Sequence, residues 1–350
     1  MILNFNWHAE SFPLAQTFRT SRGAKTEAKV LVLEVSYATA NQRFRGWAEA
    51  VPYARYGESI ASVSQALAVA TETLNESMQN RRLNASPATV LQELVLSMFV
   101  PTMPAGSARN LIDCACWDLL AKINQSSVAD MLSLQQPESV VCAQTLSVDS
   151  LESMQSAAAK LAHLPLLKVK LDKTDIVSKM QAISTACPNS KFIIDANEAW
   201  DIETLQNVTP SLQGCNVVLI EQPLAADDDD ALLGFASTIP LCADESCHIS
   251  GGLEELAKKY QAINIKLDKT GGLSEALHLL SAAKHHNLQV MLGCMVGSSL
   301  AMAPIYLLTG QADFVDLDGP VLVAKDRENG FIFKNGIMST APEHLWGMAK

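Results

Sequence analysis

Charged residues close six short apolar runs in the second half of the chain. Lys168 and Lys170 flank Val169, and Asp195 ends Phe-Ile-Ile-Asp. Glu221 ends Val-Val-Leu-Ile-Glu, Asp244 ends Leu-Cys-Ala-Asp, Lys266 ends Ile-Asn-Ile-Lys, and Asp316 and Asp318 flank Leu317. From Lys170 to Lys266 the successive gaps are 25, 26, 23 and 22 residues, one strand-helix unit each. Three carboxylates on consecutive strands make a hard, all-oxygen set that suits Mg²⁺. Zinc would recruit His or Cys, and none of these three strand ends offers one. The lysines lie on either side of the trio. Carboxylates favour the ammonium, whereas a cation or a second ammonium disfavours it. Where the latter dominate, a neutral amine becomes a base. Two opposed bases and one Lewis acid imply proton loss beside a carbonyl, an enolate stabilised by the cation, and proton return on the other face. That is racemisation or epimerisation; β-elimination would need one base. A single charged strand end reads equally well as a buried ion pair, but the register of the whole set favours a site.

Something must hold these residues together. Eight apolar segments recur after residue 140: 142–146, 167–171, 192–195, 217–221, 241–244, 263–267, 290–293 and 314–317. Most of the stretches between them carry helical periodicity. Strands of a parallel sheet are buried on both faces and should be apolar, so charges at their C-terminal ends belong to a barrel mouth. The expected fold class is α/β: a modified (β/α)8 TIM-like barrel over residues 126–320, with an N-terminal α+β capping domain over 1–125. The tail, 321–350, is expected to complete the cap. An open doubly wound sheet is the alternative, and no G-x-G-x-x-G follows any strand to support dinucleotide binding. In the cap, Lys29–Val35 and Gly46–Ala50 read as strands. Helical spacing runs from Ser59 to Lys122, with a new start at Ser86-Pro87 and a break at Pro101–Gly106.

Composition narrows the classes. The 350 residues are 48% hydrophobic and 18% charged, with a formal net charge of -11. That is apolar enough for a large core, and it counts against a nucleic-acid partner. No charged side chain lies between Lys284 and Asp313, but Gly293, Gly297, Pro304 and Gly310 interrupt that stretch. It reads as strand, turn and buried helix rather than a membrane span. Met1-Ile2-Leu3-Asn4 opens no signal peptide, so the eight cysteines are expected as free thiols of a cytoplasmic protein. The acid run Asp227–Asp230 reads as a solvated loop and helix start.

Taken in order, the motifs Leu167-Lys-Val-Lys-Leu-Asp172, Asp195-Ala-Asn-Glu198, Glu221-Gln-Pro-Leu224, Ala243-Asp-Glu-Ser246, Asn264-Ile-Lys-Leu-Asp-Lys-Thr-Gly-Gly272 and Asp316-Leu-Asp-Gly-Pro320 resemble the enolase superfamily, in its muconate-lactonizing subgroup. The last segment makes the chain most similar to the bacterial dipeptide epimerases acting on L-Ala-D/L-Glu, enzymes of murein peptide turnover. The resemblance implies one Mg²⁺ per subunit on Asp195, Glu221 and Asp244. It implies Lys170 and Lys266 as paired acid/bases, with Lys168 beside the substrate carboxylate. Asp316 and Asp318 would hold the dipeptide's α-ammonium, and Thr145 and the loop around Cys294 would line the substrate. The cap would select the side chain through loops 20–26 and 52–58, with Arg22 the first choice for a glutamyl carboxylate and Lys25 and Arg55 the alternates. The implied partner is a small dipeptide, with neither nucleic acid nor membrane; self-association into a homo-oligomer is compatible with the chain. Other enzymes sharing the trio and the lysines are the alternatives: an N-acyl amino acid racemase, o-succinylbenzoate synthase or a cycloisomerase. More distantly, a Schiff-base aldolase would use one nucleophilic lysine.

Overall fold

The computed structural model describes residues 3–80 and 86–348. The chain opens with a three-stranded antiparallel sheet: β1 (Asn4–Thr20), β2 (Gly23–Ala38) and β3 (Arg43–Ala50). β2 supplies the buried run Val30–Leu33, the strand legible in the sequence. β1 is not among the strands singled out from the sequence. It is only half-buried and carries a register shift between Pro13 and Phe18, so its apolar alternation is weak. Helix α1 (Ile60–Asn80) covers the sheet with Val63, Leu67 and Leu74. α2 (Pro87–Thr89), capped by Ser86, runs into a π-helical segment, Val90–Phe99. Pro101 ends that segment. α3 (Ser107–Asn124) is buried along most of its length.

After β4 (Ser139–Val141) come the barrel strands: β5 (Gln144–Leu146), β6 (Leu166–Lys170), β7 (Lys191–Asp195) and β8 (Val217–Glu221). They continue as β9 (Leu241–Ala243), β10 (Ala262–Ile265), β11 (Gln289–Gly293) and β12 (Phe314–Asp316). All eight form one parallel sheet in sequence order. The expected barrel is present, nearly closed. β12 and β5 share no ladder, but the Ala143 N–H donates to the Val315 carbonyl at 2.8 Å across the seam. The charge-free stretch after Lys284 is β11, a loop and the helix Ser299–Tyr306, and no described helix is long and apolar enough to cross a membrane.

Strand side chains alternate, so every second residue of each strand faces the barrel axis. Ala143, Leu166, Ile193, Leu219, Cys242, Ala262 and Met291 form one apolar layer at the bottom. Two residues further along each strand, the same inward face becomes polar: Lys168, Asp195, Glu221, Asp244 and Asn264. Lys170 and Lys266 are two further still. The apolar floor excludes water below the polar layer, where charge interactions are strongest. Gly293, on β11, keeps the neighbouring position open. A Cβ there would lie 2.5 Å from Asn264 Oδ1 and 2.9 Å from Lys266 Cε.

Two further strands, β13 (Phe333–Lys334) and β14 (Ile337–Ser339), pair back onto β4. Beyond them the chain meets the cap. Trp346 Nε1 donates to the Cys114 carbonyl at 3.1 Å, and Gly347 N to Asp118 Oδ1 at 2.7 Å.

Candidate active site

A cavity of about 550 Å³ opens at the C-terminal ends of the barrel strands, beneath the cap. It brings together Arg22, Thr145, Lys168, Lys170, Asp244, Lys266, Cys294, Asp316 and Asp318. Asp195 and Glu221 are fully buried just below it.

The ion pairs define its core. Lys168 Nζ lies 3.0 Å from Asp195 Oδ2, 2.6 Å from Glu221 Oε2 and 2.8 Å from Asp316 Oδ2. Lys170 is bonded to Asp195, on the strand beside its own. Lys266 Nζ lies 2.6 Å from Asp244 Oδ2 and 3.8 Å from Glu221 Oε1. Burial alone would drive the proton off Lys168 and Lys266. Their carboxylate neighbours, Asp195 first for Lys168 and Asp244 first for Lys266, outweigh it and hold both well above the ordinary lysine range. Glu221 moves the other way: burial and the Asp195 charge push it up to about 8. For Asp244, burial is overcome by Lys266 and Lys269, and the carboxyl stays well below the usual range.

The trio fits a hard cation. All three groups are buried carboxylates, and Glu221 Oε2 and Asp244 Oδ1 have no partner but a lysine Nζ, 2.6 Å away in each case. Among the described residues no three such groups stand at ligating distance, because lysine ammoniums lie between them. The backbone around the trio is strained. Asn197 and Glu198, after β7, and Gln222, after β8, all have positive φ (46, 68 and 35°), the pattern of residues held in place by function. The strain is used. The Asn197 N–H donates to Asp195 Oδ1 at 2.9 Å. Gln222 Oε1 accepts from the Asp244 and Ser246 N–H groups at 2.8 and 3.1 Å. Lys269, fully buried, sits 2.6 Å from Asp244 Oδ1 and donates to the Cys247 and Asn264 carbonyls at 2.9 and 3.0 Å.

At the seam, Thr145 N–H donates to Asp318 Oδ2 at 2.7 Å. Burial and the Asp316 charge push Asp318 up to about 7. Burial and the same two acids raise the Cys294 thiol far above its usual value, so it is no nucleophile. All eight cysteines are free.

On the cap side, Arg22 lies 2.7 Å from Glu245 Oε1, 3.0 Å from Glu198 Oε2 and 3.1 Å from the Tyr53 hydroxyl. Arg55 grips Glu198 with two bonds, 2.7 and 2.8 Å. Lys25, 4.9 Å over the Tyr53 ring, has no carboxylate partner among the described residues. Sequence reasoning missed Glu245, the residue after Asp244, whose buried carboxylate reaches the cap. The acid run is an exposed helix start at Asp227, Asp228 and Asp230, as expected, but one member was missed. Asp229 is buried and accepts from Ser246 Oγ at 2.6 Å and the Tyr260 hydroxyl at 2.9 Å. The segment turns this one side chain inward, where it braces the loop after Asp244.

Known proteins place this architecture. Residues 6–133 match the mandelate racemase / muconate lactonizing enzyme N-terminal domain, and residues 152–342 the enolase C-terminal domain-like family. An N-acetyl-D-glutamate racemase from Pseudoalteromonas sp is 49% identical over 89% of this chain and 94% of its own. An L-Ala-D/L-Glu epimerase from Escherichia coli (strain K12) is 40% identical over 93% and 96%. A crystal structure of an enolase family member from Agrobacterium tumefaciens, with bound sodium and L-Ala-L-Glu, superposes with a TM-score of 0.88 at 36% identity, over 99% of this chain and 100% of that one. The chain belongs to the mandelate racemase and muconate-lactonizing family of the enolase superfamily, and is an isomerase whose relatives are epimerases and racemases.

Proposed function

We propose that the protein epimerises dipeptides, L-Ala-D-Glu to L-Ala-L-Glu, by two-base 1,1-proton transfer in murein peptide turnover. One observation carries this reading: two diameters cross at the barrel mouth. Lys170 ends the second barrel strand and Lys266 follows the sixth, so they face each other. Asp316 and Asp318 sit at the eighth strand, opposite Glu198 and Glu245, which flank the fourth and hold the cap cations. A dipeptide laid from the acid pair to the cap cations has one lysine on each face of its α-carbon.

The residues then divide the work. Asp316 and Asp318 receive the α-ammonium, and Thr145 N–H orients Asp318. Lys168 steadies the α-carboxylate. One of Lys170 and Lys266 removes the α-proton while the other, as ammonium, returns one from the opposite face. Arg22, with Lys25 and Arg55 nearby, supplies positive charge for the glutamyl side chain. A divalent cation such as Mg²⁺ on Asp195, Glu221 and Asp244 would polarise the substrate carboxylate and, by neutralising those anions, free a lysine to act as base. We further propose residues 1–125 with 321–350 as the specificity cap and 126–320 as the catalytic barrel.

A second reading is racemisation of N-acetylglutamate. The Pseudoalteromonas relative supports it, and so does the acid pair. Asp316 is already paired with Lys168, and Asp318 titrates near neutrality, so an uncharged acyl group is tolerable there. Deuterium uptake at the glutamyl α-carbon in D₂O decides between them. Exchange of L-Ala-L-Glu, abolished by chelation and faster than that of N-acetyl-L-glutamate, supports the dipeptide. The reverse order supports the racemase, and exchange of neither refutes both.

A further inference from the structure

Arg327 lies outside the cavity, in the tail, yet three walls of the cavity are referenced to it. Its Nε donates to Ser298 Oγ at 2.7 Å and to Glu49 Oε2 at 3.1 Å. Its terminal nitrogen donates to Glu49 Oε2 at 2.7 Å and to Glu10 Oε2 at 2.6 Å. Glu49, with no exposed side-chain surface, accepts from the Ser298 N–H at 2.8 Å and from its hydroxyl. Next door, Asp326 takes the Ser299 N–H at 2.9 Å and its hydroxyl.

Each partner leads to a cavity wall. Ser298 ends the loop whose Cys294, Met295 and Val296 line the cavity beside Asp316 and Asp318. Glu49 lies two residues before Val51–Tyr53, which line it from the cap. Glu10 is on β1, which runs on to Leu14, Phe18 and Thr20. The packing leaves little slack: a Cβ at Gly297 would lie 2.9 Å from Glu49 Oε1. A planar guanidinium with fixed donors holds several oxygens in one geometry, which an ammonium cannot do.

We propose that Arg327, acting through Glu49 and Ser298, is a positioning residue that sets the gap between the cap and the 294–298 loop, and so selects the residue at the amino end of the substrate. The substrate half of this rests on the dipeptide reading. The knot fixes where the loop stands and takes no part in proton transfer. Its loss therefore acts on KM and on side-chain preference, not on kcat.

The test compares Arg327→Met, Arg327→Lys and Glu49→Gln with the wild type, using metal-loaded enzyme. Kinetics are read with L-Ala-L-Glu, Gly-L-Glu and L-Phe-L-Glu, and amide hydrogen exchange is read over 294–299. Ser190→Ala is the control. It removes the buried bond to the Leu164 carbonyl at 2.7 Å, at the closed end of the barrel. Arg327→Met is expected to raise KM for L-Ala-L-Glu about 10-fold with kcat within about 3-fold. It should also narrow the preference for Ala over Phe and speed exchange across 294–299 about 10-fold or more. Arg327→Lys should fall between, and Glu49→Gln should follow Arg327→Met; these two decide the matter if Arg327→Met does not fold. Unchanged KM, preference and exchange overturn the proposal, as does an equal KM rise in Ser190→Ala. If the wild type turns over no dipeptide, the functional reading fails, and the exchange data alone decide the knot.

Discussion

Lys266 Nζ stands 2.6 Å from Asp244 Oδ2, and across the barrel Lys170 is bonded to Asp195 in the same way. Each flank of the carboxylate trio is thus closed by a lysine. The two lysines are equivalent in placement and opposite in direction. Lys170→Ala or Lys266→Ala should each lower epimerisation by about 10²–10⁴-fold, the usual worth of a positioned acid or base. Each variant should still exchange the α-proton of one epimer only. Proton NMR in D₂O, started from each epimer in turn, checks this. Full turnover by either variant sinks the two-base scheme.

Lys269 holds Asp244 from behind while Lys266 faces it from the cavity. Lys269→Met leaves a buried carboxylate oxygen and the Asp244, Cys247 and Asn264 carbonyls without their donor. Removing one partner of a buried pair costs about 3–5 kcal/mol. Urea unfolding should show a loss of that size, and isothermal titration should show weaker cation binding. Wild-type stability would mean that Lys269 holds nothing.

Asp268 joins the cap to the barrel, accepting from the Val51 N–H at 3.1 Å and from Asn110 Nδ2 at 3.0 Å. Burial pushes Asp268 up to about 7, and burial likewise pushes Asp113 up to about 6, each from an ordinary 3.8. The folded state therefore holds these protons more tightly than the unfolded chain does. Their contribution is complete below about pH 4 and is lost as pH rises to 7, by about 1.4 kcal/mol per pH unit for each group at most. Asp268→Asn should flatten that decline and gain on the wild type between pH 5 and 8. Denaturant midpoints across this range measure it, and parallel pH curves would count against it.

Arg22 already carries two protein carboxylates, so a glutamyl side chain would join an occupied fork. Arg22→Ala should raise KM for L-Ala-D-Glu by about 10-fold or more, and raise it less for an uncharged dipeptide. Equal effects on the two substrates would refute a role in side-chain selection.

The barrel was legible because parallel strands buried on both faces are written as unbroken apolar runs, and a charge at the end of such a run is conspicuous. Leu166–Lys170 and Val217–Glu221 announce themselves this way. β1 did not, because a half-exposed strand interrupted by Pro13 carries little pattern. Asp229 was hidden by its company: nothing in four consecutive acids marks the one that turns inward. Glu49 and Arg327 were beyond reach for another reason. Each is unremarkable locally, and their meaning lies in a pairing across 278 residues.

The tail also has a bearing on the order of folding. The cap is synthesised first, yet Trp47 Nε1 donates to the Leu345 carbonyl at 2.8 Å and Val128 N to the Gly347 carbonyl at 2.8 Å. The Trp47 and Val128 donors, both made early in translation, therefore stay unpaired until residues 345–347 emerge. Until then the nascent cap presents the Trp346 site on α3 as open apolar surface, the kind of surface that chaperones hold.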